Sequence, residues 1–243
     1  MRILLTLSYD GTDFCGYQIQ PNGRTVEETL ENALYTLTGE KIKTYASGRT
    51  DSGVHAVCQK VHFDTQSSIP PENFAPALNA ILPSDVKVSK SKRVSKNFNA
   101  RFSAKKKTYR YSLMVGNYEE PTVSRYKTLI KTEPNLSLMK ECAKIIEGEH
   151  DFKAFMASGS SVQDTVRTVH SIKVVKKGRF IDVYVSGNGF LYNMVRIIVG
   201  AMLAVADGKV TIKEIEDMLN RMERPIKVKT MPAKGLTLYS VIY

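Results

Sequence analysis

Cysteine is scarce in this chain of 243 residues, occurring only as Cys15, Cys58 and Cys142. An odd count without a C-x-x-C spacing argues against a disulfide framework and a thiolate zinc site, and so for a reducing cytoplasm. The four histidines, His55, His62, His150 and His170, are scattered without ligand pairing. Asp10 and Asp13 lack the further acids of a calcium loop, so no metal is expected. Long apolar runs are also missing. The longest, Phe190 to Ala206, contains Asn193 and Arg196 and falls short of a membrane span. The apolar opening MRILLTLSYDG is too short for a signal peptide and lacks a small-residue cleavage site.

Acid is absent from one long stretch. Between Lys87 and Arg110 the chain carries ten basic residues and no carboxylate, close to the whole net charge of +11. Such a stripe is the electrostatic footprint of a polyanion partner. Phe98, Phe102, Tyr109 and Tyr111 interleave with the charges, which suits backbone contacts combined with base stacking. Arg101, Lys105, Lys106, Lys107 and Arg110 are the candidate nucleic-acid contacts. The alternative is a merely solvated basic face. Over the whole chain the composition, 42% hydrophobic and 24% charged, is that of a soluble globular protein able to bury one or two cores.

Periodicity predicts a strand over Arg2–Tyr9, then a helix capped by Thr25 with Glu28 three residues on and ended by Gly39. Short strands are expected near 42–46 and 59–64, a helix over 72–81 and a strand over 85–94. The second half repeats the order: strand 108–115, helix 137–147, a hairpin of 168–175 and 180–186, and a buried helix 190–206. An extra helix opens at Thr211 with Glu214 and is closed by Pro225; a last strand covers 236–242. The expected fold class is α+β: two tandem ferredoxin- or RRM-like βαββαβ halves, 1–104 and 105–243, forming a central, mostly antiparallel sheet flanked by helices.

The string ASGRTDSGVHA, Ala46–Ala56, concentrates the chemistry. Gly48 and Gly53 bracket Arg49, Thr50 and Asp51, and glycine lets a backbone turn tightly and approach a ligand. Taken alone, Asp51 could be a simple Asx-turn residue. Arg196 lies on a helix apolar on almost every side, where an unpartnered guanidinium is costly. It could snorkel to the surface; an ion pair with Asp51 would instead keep that carboxylate ionised, as a nucleophile requires. Tyr109 begins a strand beside the densest basic run and could be a half-buried packing residue or a ring stacked on a base. A structural or backbone-contact role is expected for His55.

Five segments in order, YDGTDFCGYQIQ, GRTDSGVHA, KKKTYRYSL, FLYNMVRIIVGAML and MPAKGLTLYSVIY, closely resemble the tRNA pseudouridine synthase A family. Two positions depart from its pattern: Tyr17 where tryptophan is usual, and Ser52 in place of alanine. Both bear on substrate fit. The resemblance implies the pseudouridine synthase fold, a cofactor-free and metal-free cytoplasmic homodimer, and isomerisation of uridine to pseudouridine at positions 38 to 40 of the tRNA anticodon stem-loop. By the same resemblance Asp51 is the catalytic aspartate, Tyr109 lies against the target base, Arg196 partners the aspartate and Arg49 helps displace the nucleotide. Two rival readings compete. A non-catalytic RNA binder of two RRM-like units should show an RNP1 run, which is missing. A metal-dependent nuclease using Asp10, Asp13 and Asp51 needs clustered carboxylates.

Overall fold

A computed structural model describes residues 1–159 and 162–243. The chain is a mixed α+β protein that divides into two compact units, Met1–Lys105 with Thr237–Tyr243, and Lys106–Leu236. The closing strand expected of the second half is thus counted mainly with the first. No helix among the described residues is long and apolar enough to cross a membrane.

In the first unit β1 (Arg2–Tyr9) buries Ile3, Leu5 and Leu7 completely, the alternation that made it legible. It pairs antiparallel with β3 (His55–Asp64) on one side and β4 (Val86–Val94) on the other. The two-residue β2 (Tyr45–Ala46) lies antiparallel to the far end of β3, giving the order β4-β1-β3-β2. Thr237 and Leu238, in β10 (Leu236–Ile242), run parallel to the start of β3. Helices α1 (Val26–Thr38) and α2 (Phe74–Ile81) bury Leu30, Leu34, Phe74 and Leu78. Thr25 caps α1 by accepting from Glu28 N at 3.4 Å, and Gly39 ends it at φ 73°.

In the second unit β5 (Lys106–Val115), β9 (Phe180–Gly187), β8 (Val166–Lys177) and β7 (Gly148–Asp151) pair antiparallel in that order; β6 (Thr128–Ile130) lies parallel to β5. Helices α3 (Leu136–Ile146), α4 (Met194–Ala206) and α5 (Ile212–Arg221) pack together, α4 being apolar nearly all round. A reciprocal capping box closes on α5, between Thr211 and Glu214.

Four expectations shift. The first hairpin strand shrinks to Tyr45–Ala46, while β3 starts at His55, before the expected Gln59. Helix α4 starts at Met194 because Asn193 adopts a left-handed φ of 60°, which breaks the run begun at Phe190. Helix α5 ends at a left-handed Met222 (φ 59°), before Pro225. Strands β6 and β7 were invisible beforehand: TLI is too short for a period, and GEHD has no apolar alternation.

Candidate active site

In the first unit the GRTD segment is held from three sides. The Tyr9 hydroxyl, at the end of β1, meets Thr50 Oγ1 at 2.8 Å. Buried Ser47 donates to Gln59 Oε1 at 2.6 Å, and Gln59 Nε2 donates to Gly48 O at 2.7 Å. On the third side Tyr17 N donates to Thr50 O at 3.0 Å. Gly16 makes that approach possible: its φ is 93°, and a Cβ there would sit 2.8 Å from Thr50 O. The turn then closes through Val54 N, which donates to Asp51 O at 3.1 Å, and through Gly53 at φ 76°. Asp51 is left half-buried on a loop whose neighbours are all fixed.

Arg49 behaves differently. It is exposed and makes no side-chain hydrogen bond or ion pair among the described residues. With only the longer-range charge of Glu27 acting on it, this guanidinium is available to a phosphate or a base. Ser52 Oγ donates to Phe14 O at 3.1 Å, an extra tie that alanine would not make. Buried His55 accepts the Gly11 N–H at Nδ1 at 3.0 Å and lies 3.2 Å from Asp10 Oδ1. Asp10 also accepts from Thr12 N and Oγ1, so this pair pins the preceding turn. Among the described residues no group of three or more His, Cys, Asp or Glu side chains could hold a metal.

Burial acts strongly on the phenols under the loop. It pushes the Tyr9 hydroxyl up to about 12, against hydrogen bonds from Thr50 and Gln59. Tyr17 is raised well above the usual value, again by burial first. Its ring is 6.4 Å from that of Tyr9, and its hydroxyl, near the Thr44 side chain, makes no well-formed hydrogen bond among the described residues.

In the second unit Tyr109 is buried on β5 opposite Val185, and its ring meets Phe190 edge-on at 5.3 Å. Arg196, in the first turn of α4, is half-buried. Its Nε donates to Met231 O at 2.6 Å and Nη1 to Asn193 Oδ1 at 2.5 Å. The segment carrying Met231 reaches this helix because position 200 is glycine; a Cβ there would lie 1.9 Å from Lys229 O. Residues 196 and 200 share a face by helical spacing.

The basic candidates have separate surroundings. Lys105 and Arg101 are exposed, and the Arg101 guanidinium lies 5.5 Å from the centre of the Phe102 ring, which is 78% exposed. Lys106, Lys107 and Arg110 are half-buried on β5. Sequence reasoning missed the braces around the loop. Gln59 and Tyr9 read as ordinary strand residues, and a carbonyl such as Met231 O has no side-chain signature.

Comparison with known proteins gives a consistent picture. A family model described as tRNA pseudouridine synthase matches residues 6–103 and 142–243. The chain is similar to proteins named tRNA pseudouridine synthase A from Bacillus licheniformis, 44% identical, and Bacillus subtilis, 42% identical. Both alignments cover 100% of this chain and 99% of the other. A crystal structure of a Cbf5-Nop10-Gar1 complex matches 83% of this chain and 45% of that one, at 17% identity. Its TM-score of 0.36 is too low to bear on the fold.

Proposed function

The chain belongs to the tRNA pseudouridine synthase A family, and we propose that it isomerises uridine at positions 38 to 40 of the tRNA anticodon stem-loop with Asp51 as the catalytic carboxylate. One observation carries this reading: Asp51 stands half-buried on a braced loop, next to an exposed Arg49 that makes no side-chain hydrogen bond or ion pair among the described residues. A carboxylate that must act on one carbon needs such a fixed approach. A uridine in a stem must first leave its stack, at a cost of a few kcal/mol. Arg49 and the basic residues Arg101, Lys105, Lys106, Lys107 and Arg110 offset that cost through the phosphates.

The reaction breaks the bond between uracil N1 and the ribose C1′ and forms one from C5 to C1′. The C5 hydrogen leaves as a proton, and N1 regains one. Asp51 either adds to the uracil ring or assists cleavage at C1′, and both routes end in the same bonds. Tyr109 would lie against the base, and Arg196 would serve as the aspartate's counter-charge. The proposal includes the pseudouridine synthase fold built from two βαββαβ halves, 1–104 with the aspartate and 105–243 with the tyrosine and arginine. It also includes a cytoplasmic homodimer that needs no cofactor.

Pseudouridine mapping tests the position. Unmodified tRNA treated with the protein, then with carbodiimide, should stop reverse transcription only at 38 to 40. The Asp51→Ala protein should give no stops while binding the tRNA nearly as well, because the carboxylate adds nothing to phosphate affinity. Stops elsewhere would refute the position, and stops with Asp51→Ala would refute the residue.

A further inference from the structure

By the alternation of β1, Leu4 and Thr6 face the side of the sheet opposite Ile3, Leu5 and Leu7. The strand register sets Lys60 and Lys90 on either side of Thr6, and Lys92 beside Leu4. Together they line a cavity of about 150 Å³, closed by Val241 and the ring of Tyr243. Tyr243 is fixed there: its hydroxyl donates to Ala100 O at 3.0 Å, and its ring meets Phe98 at 4.8 Å.

The charged side chains lining this cavity are all of one sign. Lys60 Nζ donates to Thr6 Oγ1 at 2.7 Å, which leaves the Thr6 hydroxyl proton free to donate. Lys90 and Lys92 make no hydrogen bond or ion pair among the described residues, and no Asp or Glu side chain lines the cavity. Ammonium groups gathered in a concave site repel one another until an anion joins them. A flat solvated face would have neither the concavity nor the hydroxyl.

We propose that this cavity is a subsite for a phosphodiester group of the RNA, outside the reacting nucleotide. It rests on the reading of the protein as a tRNA-modifying enzyme and adds Lys60, Lys90 and Lys92 to the contacts expected of it. Lysines bind a phosphate as point charges, and the apolar floor of Leu4 and Val241 suits the attached ribose. Thr6 is three residues from Tyr9, the brace of the GRTD loop, about 10 Å along the same strand, but the alternation turns their side chains to opposite faces, so the subsite takes a phosphate away from the reacting nucleotide.

The test compares Lys60→Gln/Lys90→Gln/Lys92→Gln with a control of equal charge change on α3 and α5, Lys140→Gln/Lys144→Gln/Lys213→Gln. Filter binding of unmodified tRNA is measured over a range of salt. The site variant should weaken binding about tenfold or more and lower the salt slope by roughly 2 to 3, with the control moving Kd less than about threefold. Lys90→Gln/Lys92→Gln, both exposed, should show a proportionate part of the effect even if loss of Lys60 disturbs the strand. Unchanged binding, or equal loss in site and control variants, would overturn the subsite. Wild-type protein that binds tRNA but forms no pseudouridine would overturn the enzymatic reading alone.

Discussion

Tyr17 shows the sharpest conflict between a side chain and its surroundings. It is buried next to Tyr9 and its backbone holds Thr50, yet its hydroxyl, near the Thr44 side chain, makes no well-formed hydrogen bond among the described residues. An unsatisfied buried hydroxyl costs about 1–3 kcal/mol. Tyr17→Phe removes the cost and keeps the ring, so it should stabilise the protein by about 1 kcal/mol. For a chain of this size that raises Tm by about 2–4 °C. A lower Tm in calorimetry would mean that the hydroxyl is satisfied. At this scale the sequence was informative wherever a residue type is chemically unusual for its place. Asp51 among glycines and Arg196 in an apolar helix stood out for that reason. Tyr17 stood out only by resemblance, since burial of a hydroxyl depends on neighbours distant in the chain.

Helix α4 shows what elements add to residues. Its apolar run was readable, but its true start depends on one left-handed asparagine, which no periodicity reveals. The same Asn193 then accepts from Arg196, so the turn that opens the helix also orients its guanidinium. Gly200 completes the arrangement by letting Lys229 and Met231 cross the helix closely. Gly200→Ala improves helix propensity by about 1 kcal/mol in isolation. Here the added Cβ would overlap Lys229 O, so a net destabilisation of about 1–3 kcal/mol is expected. Denaturant unfolding reads the sign directly, and a stabilised Gly200→Ala protein would contradict the close crossing. Capping residues were legible at α1 and α5, because Thr25 and Thr211 act within their own turns. Strand ends were less so, because β2 and β3 are delimited by partners and not by their own residues.

Over the whole molecule, charge and burial set the behaviour with pH. Tyr9, Tyr17, Tyr111 and Tyr243 all lose protons less readily when folded, burial being the first cause in each. A pKa raised on folding stabilises the native state fully below the unfolded value and is lost as pH rises toward the folded one. The unfolded phenol titrates near about 10. The buried Cys142 thiol, pushed up to about 12, adds a loss of the same sign that begins at its unfolded value of about 8.5. Urea unfolding should therefore give a level free energy from neutral pH to about 8, then a decline through about 12. A level value beyond pH 11 would place these hydroxyls in water.

The basic excess was legible as a footprint, since charge needs no fold to be counted. Its concentration around the Thr6 cavity was not, because Lys60 lies far in sequence from Lys90 and Lys92 and only the β1 register gathers them. The most direct test of the central claim is tritium release from tRNA labelled at uridine C5, comparing wild type with Asp51→Ala. Formation of the C5–C1′ bond must free the label, so release by the wild type alone is the expected result. Equal release by both proteins, or none from a wild type that still binds tRNA, would contradict the account.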